Sequence, residues 1–457
     1  MNELATKAME LIEERHFSQL KPLFAEMNPA DIAAALEELP EEYRLLVFRM
    51  LPKDDAAETF VELDPDTQEA LIARFTDREL EAVIDEMYLD DTVDMIEEMP
   101  ANVVNRILKM SDSTTRMQIN EILQYPKDSA GSIMTIEYVE LTKNMTVEEA
   151  FRKIRATALD KETVYTCFVK DINRKLVGMI SVKDLLLADY ETRIEDIMEK
   201  NVISVSTTDD KELVAQMFDK YDFLAMPVVD KENRLVGIIT VDDAMDVMIE
   251  ETTEDIEKMA AIVPTDTDKS YMKTGVFEQW RKRIPWLMLL MVSATFTGKI
   301  ITGFENALDQ CVILTAFIPM LMDTGGNAGG QASVTIIRGL SLGEIQMRDI
   351  LRVLWKELRV ASLCGVSLGA ANFLKMMLVD RGSIVNSGQD AITVSIVVCL
   401  TLIIAVMAAK LVGCTLPIAA KRVGFDPAVM ASPFITTIVD AISLLVYFSI
   451  ASLLLGI

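Results

Sequence analysis

Over residues 1–125 the apolar positions keep a helical spacing that proline interrupts at near-regular intervals. Asn28-Pro29, Leu39-Pro40, Leu51-Pro52, Asp64-Pro65 and Met99-Pro100 follow one another at intervals of 11, 12, 13 and 35 residues. A proline in a first helical turn sacrifices no hydrogen bond, so each pair predicts a helix start. The segment reads as short stacked helices, an α-helical superhelix or solenoid. The pattern then changes to alternating runs. Leu176-Val-Gly178-Met-Ile-Ser181-Val-Lys-Asp184 recurs as Leu235-Val-Gly237-Ile-Ile-Thr240-Val-Asp-Asp243, offset by 59 residues. Each copy predicts strand, tight Asn-containing turn, strand, and a Ser- or Thr-capped helix. Ile133-Met134 and Ile197-Met198 open the two units, and Thr146 and Asp210 are N-caps for helices Val147–Thr157 and Lys211–Tyr221.

A long helix is expected over Asp242–Ile262, broken at Pro264, with an amphipathic helix from Lys273 to Arg283. Five apolar segments follow: about Pro285–Thr302, Cys311–Ile337, Val360–Val379, Ala391–Val412 and Met430–Leu455. Roughly 20 residues cross a bilayer, so five membrane helices are expected. The domain boundaries follow: 1–125, a duplicated region 126–256 (about 126–197 and 198–256), a connecting helix 257–283 and a membrane domain 284–457.

Charge sharpens this division. Residues 1–270 hold 29 basic and 60 acidic side chains, whereas 271–457 hold 15 and 11. A phosphate backbone would be repelled by the acidic part, so nucleic acid is excluded as a partner. Arg281, Lys282 and Arg283 precede the first apolar segment; Arg338, Arg348, Arg352, Lys356 and Arg359 separate the second from the third; Lys421 and Arg422 separate the fourth from the fifth. These basic connections place the N-terminus in the cytosol and the C-terminus outside. The five cysteines lack CxxC spacing and His16 stands alone, so zinc and disulfides are not expected. No nucleophile–base constellation or phosphate loop suggests an enzyme.

Between Asp426 and the end of the chain Asp440 is the only charged side chain. A carboxylate at membrane depth costs about 2.5–3.5 kcal/mol on an insertion scale, so it faces protein, water or a cation. Either it bonds a neighbouring Ser or Thr in helix packing, or it lies on a cation path. The second apolar segment carries Pro319-Met-Leu-Met-Asp323-Thr-Gly325-Gly326-Asn327-Ala-Gly329-Gly330-Gln331. Its glycines permit close backbone approach or a break whose carbonyls line a pore. Asp243, Asp246 and Glu250, at i, i+3 and i+7, share one helix face that wants a counter-cation.

The duplicated unit resembles a tandem pair of α+β CBS domains. The Gly-Gly-Asn-x-Gly-x-Gln string, the Asp426-Pro-Ala…Pro433…Thr437-x-x-Asp440 string, the CBS pair and the N-terminal helical domain occur together as in the MgtE family of bacterial magnesium channels, which the whole chain resembles. The resemblance implies a homodimer in the bacterial plasma (inner) membrane with five membrane helices per subunit. It also implies a Mg2+ pore on the two-fold axis, closed when Mg2+ is plentiful, and a connecting or plug helix after the CBS pair. By position, Asp440 would recognise Mg2+ in the pore, with Asp426 near the cytosolic end. Asn327, Gly325, Gly326, Ser432 and Pro433 would line the pore, Ser432 standing where some relatives have an amide. In the sensor, Glu58, Asp90 and Asp94 would face Asp210, Asp219, Asp222, Asp243 and Asp246, and Glu251, Glu254 and Asp255 would continue toward the plug. Asp184 and Asp243 stand where CBS aspartates bond a ribose, so ATP or another adenine nucleotide is one expectation; helix capping is the other. A hard ion such as Mg2+ suits oxygen donors alone. The competing functions are a secondary exchanger moving Mg2+ or Co2+ against Na+ or H+, and a membrane-anchored nucleotide sensor.

Overall fold

In a computed structural model the chain is described over residues 3–25, 27–264, 271–272, 274–430 and 432–456. It forms two compact units, residues 1–251 with 267–271, and residues 252–266 with 272–457.

The first unit opens with helices α1 (Glu3–Glu13) and α2 (Leu20–Phe24). The proline-spaced run follows as α3 (Pro29–Glu38), α4 (Glu41–Phe48), α5 (Lys53–Val61), α6 (Pro65–Arg74), α7 (Asp77–Ile84), α8 (Leu89–Glu98), α9 (Ala101–Met110) and α10 (Ser113–Ile122). Asn28 and Asp64 cap α3 and α6 by accepting from the Ala30 and Thr67 amides, each with proline directly after. Thr76 and Glu79 close a capping box on α7. The core between the layers holds Phe48, Phe60 and Phe75, their ring centroids 5.3–6.0 Å apart.

Each duplicated unit builds a three-stranded sheet. Strand β1 (Tyr138–Thr142) runs parallel to β2 (Thr163–Lys170), which is antiparallel to β3 (Leu176–Ser181). The second copy repeats this with β4 (Val205–Ser206), β5 (Ala225–Val229) and β6 (Leu235–Thr240). Helices α11 (Val147–Thr157), α12 (Val182–Leu187), α13 (Ile194–Ile197), α14 (Lys211–Tyr221) and α15 (Val241–Met259) complete the pair. Asp171 and Asp230 hold the two turns through Oδ1, each accepting from two backbone amides. The opening segments are exchanged between the copies. Thr135 and Ile238 trade backbone hydrogen bonds of 2.8 and 2.9 Å, as do Met179 and Glu199 at 3.0 and 2.8 Å. Met134 thus packs beside Gly237 and Met198 beside Gly178, where a β-carbon on the glycine would meet sulfur at 2.7 and 2.6 Å. A cut at 197/198 separates each opening segment from the sheet it completes.

The second unit contains α16 (Val276–Gly303), α17 (Glu305–Gln310), α18 (Ile318–Ser341), α19 (Ile350–Lys375), α20 (Arg381–Asn386), α21 (Ala391–Val423) and α22 (Ser432–Leu455). The connecting segment differs from expectation. Helix α15 stops at Met259, and the expected Lys273–Arg283 helix is instead the first turns of α16, which runs through Pro285 into the first apolar segment. Residues 265–270 and 273 of that segment lie outside the described residues. Four helical stretches, Val276–Gly303, Met347–Asn386, Ala391–Val423 and Pro427–Leu455, are long and apolar enough to cross a membrane. The remaining expected span, α18, falls short of that measure because one of its faces is polar. It is nonetheless a continuous 24-residue helix packed against α21 and α22.

Candidate cation sites

In the first unit, α8 is the element that gathers charge. The backbone turn that brings Glu162 N to the Glu137 carbonyl (2.9 Å) sets both glutamates beside the start of α8, where the Leu89 amide donates to Glu137 Oε2 at 3.2 Å. A helix N-terminus favours that carboxylate. Asp90, 8% exposed, completes a group in which one carboxylate oxygen from each of Asp90, Glu137 and Glu162 lies within 4.8 Å of the others. Glu162 Oε2 is buried without a hydrogen-bond partner.

Such crowding opposes ionisation. Burial, then Asp91 and further acids, pushes Asp90 up to about 7. Burial followed by Asp243 and Asp242 raises Asp91 to about 7. Glu162 reaches about 9 through burial and then the charges of Asp90 and Asp91. Asp243 rises to about 7 through burial and then Asp90, although Thr240 donates to it. Asp94 is held well above the usual range by surrounding protein and then by Asp243, Asp90 and Asp91. Its side chain keeps solvent contact, which makes the neighbouring charges the firmer cause. Protons or a divalent cation relieve this repulsion, and an all-oxygen set suits a hard ion.

The expected sensor group is therefore assembled in part. Asp90, Asp94 and Asp243 act on one another, and Glu58, exposed on α5, adds its charge at Tyr88, the residue before α8. Asp246 is exposed one turn beyond Asp243. The other three lie on α14 and at its two ends, and Asp210 also bridges to Ser129 through the backbone. Asp210 caps that helix through the Glu212 amide, Asp219 is exposed on it, and Asp222 ends it in the left-handed region at φ 55°. Asp184 accepts from Ser181 Oγ at 2.5 Å while Ser181 caps α12, so the capping alternative is realised there; the carboxylate remains exposed. Glu137 and Glu162 carried no sequence motif, and only the chain fold brings them to α8.

In the second unit, Glu254 and Asp426 share a counter-ion that sequence reasoning missed: Lys258 Nζ is 2.6 Å from each carboxylate. Its spacing of four from Glu254 was the available signal. Asp255 accepts from Ser341 Oγ at 3.5 Å. Glu251 lies on the same helix, α15, in the part belonging to the first unit.

Helix α18 resolves its two alternatives in favour of close approach, since it has no break. A β-carbon at Gly413 would lie 2.2 Å from the Gly329 carbonyl oxygen, so α21 touches α18 backbone to backbone. Gly325 and Gly326 are buried against Ser443, Val439 and Thr436 of α22, so within the chain both serve close helix packing. Asn327, about 100° round the helix from Gly326, is exposed with Asp323, Gln331 and Thr335, a polar stripe at four-residue spacing along the edge of the α22 contact. Asp440 is half-buried on α22 and its Oδ1 is buried without a partner, which disfavours the reading that Ser or Thr satisfies it. Pro433 is half-buried at the start of α22, and the Ser432 side chain lies outside the described residues. Lys410 of α21, 5% exposed, sits 4.0 Å from Glu357 of α19. Sequence reasoning passed over this pair, although a lysine inside an otherwise apolar run was the available signal.

These features define a multi-pass membrane protein that carries a helical domain and a CBS pair and holds uncompensated carboxylates in both units. Comparison with known proteins narrows the class. Residues 318–450 match the MgtE family model, described as a divalent cation transporter; residues 27–128 match the MgtE intracellular N domain; residues 130–191 and 194–250 match the CBS domain. A magnesium transporter MgtE of Thermus thermophilus is 38% identical over 99% of this chain and 98% of its own length, and one of Bacillus subtilis is 33% identical over 99% and 97%. A crystal structure of the cytosolic domain of the Mg2+ channel MgtE in complex with ATP aligns over 53% of this chain and 99% of its own, with 38% identity and a TM-score of 0.51. This chain belongs to the MgtE family.

Proposed function

We propose that the chain conducts Mg2+ across the plasma membrane and that Mg2+ filling its cytosolic acid groups closes the path. The observation that carries the reading is Asp440, an intramembrane carboxylate with a buried, unpartnered oxygen beside a helix that presents a polar stripe. Mg2+ sheds water reluctantly, so carboxylates and amides would grip its hydration shell rather than the bare ion. The relatives named as magnesium transporters support this cargo and a non-enzymatic role.

The gate follows from the first unit. Asp90, Glu137 and Glu162, with Asp94, Asp243 and Asp246 nearby, repel one another until a divalent ion bridges them. Bridging stabilises only the arrangement in which they are close, so Mg2+ shifts the population toward it. Glu251, Glu254, Asp255 and Asp426 would extend the response toward the membrane, and Asp210, Asp219 and Asp222 would bind at α14. The N-terminus is cytosolic and the C-terminus extracytoplasmic. A homodimer is the proposed assembly; Leu186, Leu187 and Tyr190, between 63% and 78% exposed, offer the CBS pair an apolar contact face. ATP or another adenine nucleotide would meet the exposed Asp184 carboxylate, in keeping with the ATP bound by the related cytosolic domain.

The test is Mg2+ influx into proteoliposomes. Wild-type protein is expected to carry Mg2+ without a coupled Na+ or H+ gradient, and Asp440→Ala to abolish the flux at unchanged thermal stability. Obligatory coupling to a counter-ion would favour an exchanger, and preserved flux in Asp440→Ala would refute the assignment.

A further inference from the structure

The register between α18 and α22 reaches one residue for which the family resemblance supplied no role. A β-carbon at Gly329 would lie 2.9 Å from Ile435, one at Gly326 would lie 2.7 Å from Thr436, and one at Gly325 would lie 2.9 Å from Ser443 Oγ. Rising numbers on α18 meet falling numbers on α22, so the helices are antiparallel along this seam. One turn back from Gly326 is Asp323, and one turn on from Thr436 is Asp440. The two carboxylates therefore belong to the same step of the seam.

Three observations show that this step is not satisfied by protein alone. Asp440 Oδ1 is buried without a hydrogen-bond partner. Ser443, 1% exposed and one turn along α22 from Asp440, has a buried Oγ with no partner, facing α18 at Gly325. Asp323 is exposed and has neither a salt bridge nor a side-chain hydrogen bond among the described residues. It also heads the polar stripe that continues through Asn327, Gln331 and Thr335. A buried hydroxyl and carboxylate oxygen without partners are costly in any protein, and more so at membrane depth. A hydrated cation supplies both needs, since its waters donate to carboxylates and to a serine oxygen.

We propose that Asp323 is a second intramembrane carboxylate of the cation path, gripping the hydration shell of Mg2+ together with Asp440 and Ser443. The proposal rests on the transport reading above. Two acids at one step double the charge facing the ion, and that favours divalent over monovalent cations. Asp323 thereby sets affinity and selectivity, while Asn327 and Gln331 offer neutral polar groups further along the same face.

The experiment compares wild type, Asp323→Asn, Asp323→Glu and Asp440→Asn as full-length protein in liposomes. It measures initial Mg2+ influx against Mg2+ concentration, and Mg2+ against Na+ permeation. Asp323→Asn is expected to raise the half-saturating Mg2+ concentration about tenfold and to lower the preference for Mg2+ over Na+, with Asp323→Glu restoring most of both. Thermal midpoints in detergent should stay alike. If Asp323→Asn keeps wild-type half-saturation and selectivity while Asp440→Asn abolishes flux, the inference is overturned and the transport reading stands. Lower flux with unchanged half-saturation and no rescue by Asp323→Glu would mark a structural residue and also overturn it. Wild-type liposomes without Mg2+ influx would remove the transport reading itself, and the inference with it.

Discussion

Replacing Glu162 by glutamine tests whether the group at α8 stores repulsion in the absence of a cation. The side chain keeps its size, loses its charge and exchanges one acceptor oxygen for an NH2 donor. In the folded chain Glu162 is raised to about 9, whereas a free glutamate titrates near 4.5. The sign follows from linkage. A raised acid favours the folded state only while protonated, so that contribution is complete at low pH and is lost as pH climbs toward 9. At pH 8 most of the loss has occurred. A pKa unit corresponds to about 1.4 kcal/mol, and with roughly half discounted for the solvent contact of this half-buried side chain, about 2 kcal/mol remains. Glu162→Gln should recover that amount in chelator. The assay is hydrogen exchange of peptides covering Leu89–Glu98 in the full-length protein at pH 8. Local opening there should become about 30-fold rarer in the variant with chelator present. Mg2+ should protect wild type strongly and the variant weakly, because one donor is gone. Unchanged or faster exchange in chelator, with wild-type protection by Mg2+, would show that the carboxylates are not in conflict.

Raising the pH should strengthen Mg2+ protection of the same peptides between pH 6 and 9, because Asp90, Asp91 and Asp243 near 7 and Glu162 near 9 give up protons to make room for the ion; a flat profile in Mg2+ titrations would contradict it. Lys258→Met removes the ammonium shared by Glu254 and Asp426, so the freed carboxylates should hold Mg2+ more tightly and closure should come at a lower Mg2+ concentration than in wild type, read as the midpoint of flux inhibition in patches; an unchanged or higher midpoint would contradict it. Gly413→Ala places a methyl 2.2 Å from the Gly329 carbonyl and should cost at least about 1–3 kcal/mol, seen as a lower thermal midpoint in detergent. Lys410→Met alone strands Glu357 and should destabilise by about 3–5 kcal/mol, whereas Lys410→Met with Glu357→Gln should recover most of the loss.

The sequence showed the parts of this fold whose cause is local. Prolines at helix starts, Thr146 and Asp210 as caps, and the 59-residue repeat each act within a few residues, and the helices and strands formed where those signals stood. Long-range pairing was not legible. The exchange of Met134 and Met198 between the CBS copies depends on which sheet edge each opening segment reaches, and local pattern is blind to that. The glycines at 325 and 326 showed the same limit: their spacing announced a special helix, but only the facing residues of α22 reveal that they are packed rather than exposed. Individual acids divided in the same way. Asp440 stood out because an apolar run surrounded it, and Asp90 through the family resemblance. Glu137 and Glu162 sit in acid-rich surroundings where no single carboxylate is conspicuous until the backbone gathers them.

A common test separates carboxylates with a purpose from those that merely solvate a surface: whether protein, water or another charge already satisfies them. Asp112, Asp171, Asp230 and Asp390 accept backbone amides at turns or caps, and folding has accounted for them. Glu79 and Arg49 settle one another. Glu162 and Asp440 each retain a buried oxygen without a partner, and Glu162 does so where other acids crowd close. Evolutionary tolerance of such groups is hard to explain by stability, since glutamine or leucine would be cheaper at either site. A mobile divalent cation would resolve both, tightly enough to be recognised and, through water rather than direct bonds, loosely enough to leave. On the proposed reading the intramembrane and cytosolic acids would be one device read at two places, and a variant that neutralises either should alter Mg2+ handling before it alters the fold.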